Sequence, residues 1–77
     1  MNILIKERET LEINPCYCGA YPKFNRVDSY HTDLWLECPR CGNKTANTGG
    51  YHYASEIPED TAKRNAVIAW NKGEFAN

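Results

Sequence analysis

Four cysteines in two close pairs constrain this chain more than any other feature. Pro15-Cys16-Tyr17-Cys18-Gly19 and Cys38-Pro39-Arg40-Cys41-Gly42 are separated by nineteen residues between Cys18 and Cys38. Zn²⁺ is a tetrahedral ion that prefers soft thiolates, and four of them complete a closed shell with no position left for water or substrate. A spacer of about 15–20 residues is that of ribbons in which a hairpin brings two cysteine turns together. Gly19 and Gly42 each follow the last cysteine of a pair, where a tight turn favours positive φ and only glycine adopts it without steric cost. The sequence therefore predicts one structural Zn²⁺ held by Cys16, Cys18, Cys38 and Cys41. The first pair has one residue between its cysteines where the second has two. That shorter turn leaves an alternative open, in which His31 or His52 displaces Cys16 or Cys18.

Chain size gives such a site a purpose. A chain of 77 residues is about half a typical domain and buries only about 60–65% of its unfolded surface, so a purely apolar core is marginal without a staple. Two-domain enzymes are excluded. The start MNILIKERETLEIN lacks a sustained apolar segment and a small-residue cleavage site, and no run approaches the ~20 residues of a membrane span. The expected location is the cytoplasm, where persistent disulfides are rare and close cysteine pairs hold metal. A net charge of −1 provides no strong global attraction for nucleic acid.

The remaining sequence supplies strands and one helix. Ile3-Leu4-Ile5 and Leu11 to Ile13, around the charged Lys6-Glu7-Arg8-Glu9, read as one or two short strands or an arm. Residues 21–27 and 32–37 are β-prone and flank a turn at Asp28-Ser29-Tyr30-His31. In the second of them Leu34 and Leu36 share one face, Trp35 and Glu37 the other. Asn43 to Ala46 is a candidate third strand. A helix is predicted over about residues 58–72, with Pro58 in the first turn, Glu59 and Asp60 at its positive end and Gly73 to stop it. Helical spacing aligns Ala62, Ala66, Ala69, Trp70 and Gly73 on a packing face. Ile68 projects from the other side, to be covered either by Ile3-Leu4-Ile5 or by a partner. The fold class is small α+β: a zinc ribbon of two cysteine knuckles with a β-hairpin or three-stranded antiparallel sheet, and one C-terminal helix packed on it. Residues 1–13 form an amino-terminal arm or edge strand, and 14–77 the ribbon domain.

The sequence contains no Ser/His/Asp set and no paired carboxylates with a plausible pocket, and a closed four-thiolate shell lacks the open position of catalytic zinc. A non-enzymatic role is expected. The order of features resembles the Lar-like restriction alleviation family of phage and prophage zinc-ribbon proteins. The resemblance rests on Pro15-Cys16, Cys18-Gly19, Leu34 through Gly42, and Ala66-Val67-Ile68-Ala69-Trp70-Asn71, and spans roughly residues 14–72. The family usually has Cys-Pro-Phe-Cys-Gly-Gly, where this chain has Cys16-Tyr17-Cys18-Gly19-Ala20, one residue shorter. The resemblance implies a small phage-encoded protein that helps incoming DNA escape host restriction, in some members by modulating a type I restriction-modification system.

Two roles follow. In the first, the zinc-stapled scaffold docks on a host protein, a restriction-modification or other defence component, through Tyr17, Tyr30, Trp35, Tyr51 and Tyr53, since aromatic anchors dominate interface energetics. In the second, the ribbon binds DNA or RNA, with Lys23, Arg26, Arg40 and Lys44 on phosphates and aromatic faces stacked on bases.

Overall fold

The structure, a computed structural model, describes residues 1–26, 34–46 and 57–75. Two antiparallel hairpins and one helix follow in order: β1 (Asn2–Lys6), β2 (Glu9–Glu12), β3 (Lys23–Arg26), β4 (Leu34–Glu37) and α1 (Glu59–Lys72). The hairpins are separate two-stranded sheets, β1 with β2 and β3 with β4. This is the small α+β architecture, with the four cysteines gathered between its elements.

The amino-terminal segment is a hairpin rather than an arm. Leu4 pairs with Thr10 but Lys6 with Glu9, so Ile5 is an extra residue in β1. Arg8 takes up the turn in the left-handed region at φ 68°, a conformation in which a side chain other than glycine is unusual. One face of this hairpin carries Ile3, Ile5, Leu11 and Ile13; Ile5 and Ile13 are fully buried. They join Leu34 and Leu36 of β4, Cys16, Cys38 and the helix residues Ala62, Ala66, Val67 and Trp70 in one core. The strand alternation is as expected, with Leu34 and Leu36 buried and Trp35 and Glu37 on the half-covered side. On that side Trp35 Nε1–H donates to Glu37 Oε1 at 2.9 Å. The expected third strand is reduced to isolated bridges, Glu37 with Lys44 and Thr45 with Phe75. Thr45 still completes the edge of β4: its N–H donates to Leu36 O at 2.9 Å, and its hydroxyl accepts from Leu36 N–H at 3.1 Å.

Helix α1 begins after Pro58 and ends at Gly73, φ 78°, with Gly73 N–H donating to Trp70 O and Glu74 N–H to Ala69 O. This pair of bonds is the Schellman closure, which glycine makes without strain. The packing face differs in detail from the sequence pattern. Val67 is buried, Ala69 is half-buried and Gly73 is exposed, because the helix is wedged between β4 and β1 instead of lying on one flat sheet. Ile68 remains 45% exposed, so the first hairpin does not cover it.

Two polar devices tie the helix to the first hairpin. Trp70 Nε1–H donates to Asn14 O at 2.9 Å, Asn71 Nδ2–H donates to Glu12 O at 3.0 Å, and Asn14 N–H donates to Asn71 Oδ1 at 3.0 Å. The Asn71 amide thus completes the outer edge of β2 as a neighbouring strand would. About two turns earlier, Arg64 grips Glu9 with two bonds, Nε to Oε2 at 3.0 Å and Nη2 to Oε1 at 2.9 Å, and reaches Asp60 at 3.3 Å. Lys6 lies 3.7 Å from both carboxylates. A forked guanidinium matched to a carboxylate has the geometry of the stronger ion pairs.

Trp70 fills the space that the neighbouring alanines leave open, and its loss removes both volume and a hydrogen bond. Trp70→Ala is expected to cost about 3–5 kcal/mol in denaturant unfolding, and Trp35→Ala clearly less, since Trp35 is only half-covered. Equal losses would show that the core is elsewhere. The Arg64 hydrogen bond holds the Glu9 carboxyl below its ordinary 4.5. A depressed carboxyl stabilises the fold above its unfolded value and loses that contribution as pH falls through its folded one. Thermal melts should therefore show the wild type losing more stability than Glu9→Gln on acidification below about pH 4.5. Parallel pH profiles would show that the pair contributes nothing.

Candidate metal centre

Each cysteine pair sits in a backbone-closed turn. In the first, Gly19 N–H donates to Cys16 O at 2.8 Å and Cys16 N–H donates to Ala20 O at 2.7 Å; in the second, Gly42 N–H donates to Cys38 O at 3.0 Å and Cys38 N–H to Asn43 O at 2.8 Å. The two knuckles are the same closed loop, one residue shorter in the first. Gly19 at φ 97° and Gly42 at φ 82° supply the left-handed corner in each. A Cβ at either position would meet nothing within 4 Å, so glycine is required there by backbone conformation and not by crowding.

The closed turns aim all four sulfurs at one point. Cys16, Cys18, Cys38 and Cys41 lie with their Sγ atoms within 4.8 Å of one another. The short cross-knuckle separations are Cys16 to Cys41 at 3.2 Å and Cys18 to Cys38 at 3.5 Å. These exceed the ~2.05 Å of a disulfide, and the cysteines are unbridged. A tetrahedral ion with metal–sulfur bonds of ~2.3 Å needs sulfur–sulfur edges of roughly 3.8 Å, which the observed range brackets. The donor set fits a thiophilic metal ion, and the one-residue deficit in the first knuckle does not keep Cys16 or Cys18 from it. His31 and His52, the alternative ligands, lie outside the described residues.

Crowded thiols shape each other's ionisation. The Cys41 amide, helped by that of Arg40, draws the Cys38 thiol down to about 6 against the cost of desolvation. Cys16 is also lowered, chiefly by the Cys18 amide. At Cys41 the Asn43 amide pulls the same way, but the neighbouring Cys16 thiol and desolvation outweigh it and leave the group at about 12. Amides turned toward sulfur favour thiolate, while the close approach of four sulfurs resists full ionisation. A bound dication relieves that resistance.

The remaining candidate residues divide. Tyr17, between the first two cysteines, is 85% exposed. Lys23, Arg40 and Lys44 are exposed, and no described residue forms an ion pair with them. Arg26, by contrast, is bound to Glu59 at 2.8 Å and serves the start of the helix. Trp35 is half-buried and committed to Glu37. Tyr30, Tyr51 and Tyr53 lie outside the described residues. Sequence reasoning did not single out Asn43, which is 9% exposed and places Nδ2 3.7 Å from Cys16 Sγ. Its position directly after the second Cys-Gly was the available signal.

Titration of the reduced protein with Co²⁺ should saturate at one equivalent with the absorption of a tetrahedral thiolate site. Structural sites of this kind contribute on the order of 10 kcal/mol or more of apparent binding free energy, comparable to a domain's whole net stability. Chelation, or Cys38→Ser, should consequently abolish most of the β signal in circular dichroism. A chelated protein that melts like the untreated one would show that the four sulfurs do not staple the fold.

No helix among the described residues is long and apolar enough to cross a membrane. In comparisons with known proteins the chain matches no family model, no curated protein and no solved structure.

Proposed function

We propose that the chain is a zinc-stapled protein-interaction module of the restriction-alleviation type, acting in the cytoplasm of a bacterial host. It binds a host protein, a component of restriction-modification or another antiphage defence, and carries out no catalysis itself. One structural Zn²⁺ is the ion that best suits four thiolates in a closed shell. The observation that carries the interaction reading is Tyr17, an aromatic ring left 85% exposed on a turn held on both sides by clustered cysteines. A rigid turn that presents an aromatic anchor loses little entropy on docking. Arg40 occupies the tip of the second knuckle in the same exposed fashion. The phage context and the restriction target come from the resemblance of Cys16–Gly19, Cys38–Gly42 and Ala66–Asn71 to the Lar-like proteins.

Nucleic-acid binding is the competing role, and the pairing of Arg26 with Glu59 weakens its cationic set. Reversing Lys23, Arg40 and Lys44 to Glu changes the charge by six units, from −1 to −7, and leaves the Arg26 pair intact. In a plating assay with unmodified phage on a restricting host, the wild-type protein should raise plating efficiency. Tyr17→Ser should lose most of that gain, and the charge-reversed variant should keep a substantial part. The opposite pattern, with wild-type DNA affinity that falls steeply with salt, would overturn the proposal in favour of nucleic acid.

A further inference from the structure

The two knuckles close in the same way and differ in length by one residue. Pro39 has no N–H, so the longer second turn gains no backbone donor, and the two knuckles differ in which sulfur their amides reach. In the second knuckle the Arg40 and Cys41 amides serve Cys38, and the Asn43 amide serves Cys41. In the first knuckle the Cys18 amide serves Cys16. Ala20 and Asn43 hold the same place in the two loops, each accepting the N–H of the first cysteine of its pair. Asn43 differs by having a side chain that crosses to the other knuckle, with Nδ2 3.7 Å from Cys16 Sγ, a length ordinary for a hydrogen bond to sulfur. The residue is 9% exposed, so the amide is positioned by its surroundings and is not sampling solvent.

We propose that Asn43 is a positioning residue for the metal centre, its side-chain N–H giving Cys16 a hydrogen bond from the opposite knuckle beside the one from the Cys18 amide. The inference rests on reading the four sulfurs as one metal site. Asn43 then serves both knuckles at once, through its backbone amide to Cys41 and its side-chain amide to Cys16, which are also the cross-knuckle pair at 3.2 Å. An N–H directed at a thiolate withdraws electron density from sulfur and lessens repulsion between neighbouring thiolates. It also fixes the direction from which Cys16 meets the ion. Outer-shell partners of this kind commonly change metal affinity by about 10- to 100-fold.

The test uses Co²⁺ as the probe in the full chain. Asn43→Asp keeps the size and removes the donors, Asn43→Leu removes them without adding charge, and Asn65→Asp on the exposed side of α1 controls for charge alone. Both Asn43 variants should bind Co²⁺ about 10- to 100-fold more weakly, with the sulfur-to-cobalt charge-transfer band moved to lower energy, while the control matches wild type. Wild-type affinity and an unmoved band in both variants would overturn the proposal. An independent reading needs no variant: in the ¹¹³Cd-loaded wild type, an Asn43 side-chain amide proton should show scalar coupling to the metal through sulfur. Absence of that coupling would also overturn it. If wild type takes up no stoichiometric metal, the metal-site reading itself fails, and the inference with it, a result distinct from weakened binding in the variants alone.

Discussion

The convergence of four cysteine sulfurs from two closed turns is the constraint on which the rest of the structure depends. Cys16 and Cys38 are not only candidate ligands; they are buried in the same core as Leu34, Leu36 and Trp70. The site and the apolar interior are therefore continuous. In a chain this short the apolar contribution to stability is small, and anything that separates the knuckles also opens the core. Full ionisation of the cluster is self-limiting without a cation, because sulfurs 3.2–3.5 Å apart would repel one another as thiolates. Bringing the sulfurs together and neutralising them are two halves of one requirement.

The helix serves this site at a distance. Trp70 and Asn71 hold the backbone at Glu12 and Asn14, immediately before Pro15 and Cys16. Small residues at Ala62 and Ala66 let α1 come close enough to β4 for the indole to reach that segment. The Ala-Trp-Asn ending thus has a physical role here: packing, one indole hydrogen bond and an amide that imitates a strand edge combine to set the path of the chain into the first knuckle. The Arg64–Glu9 fork fixes the other end of the same hairpin against the helix. Between these two points Ile68 stands exposed, since the polar contacts on either side hold β2 alongside the helix without folding it over that residue.

Much of the site was legible in residue order because its parts are local. The closed knuckles, the positive-φ glycines and the helix stop at Gly73 each depend on residues within a few positions of one another. The amino-terminal hairpin was less legible. Its turn contains Glu7 and Arg8 in place of the glycine or asparagine that usually marks such a turn, and Arg8 takes the left-handed conformation regardless. The burial of Val67 and the half-exposure of Ala69 escaped a helical projection because such a projection assumes one packing partner, and α1 has two.

What the sequence by itself determined is the local geometry: two cysteine turns closed by glycine, a β4 strand with Leu34 and Leu36 inward, and a helix with a defined beginning and end. Backbone preferences and side-chain periodicity act over a few residues, so they can be read without knowing the fold. Only the tertiary structure decided which distant groups meet. Asn43 reaches Cys16 across 27 positions, Arg64 reaches Glu9 across 55 and Asn71 reaches Glu12 across 59. It also separated cations by role, pairing Arg26 with Glu59 and leaving Lys23, Arg40 and Lys44 exposed. Hydrogen bonds and ion pairs require approach to within about 3–4 Å, and for residues so far apart along the chain that approach is set by packing around the sulfur cluster, which no local pattern encodes.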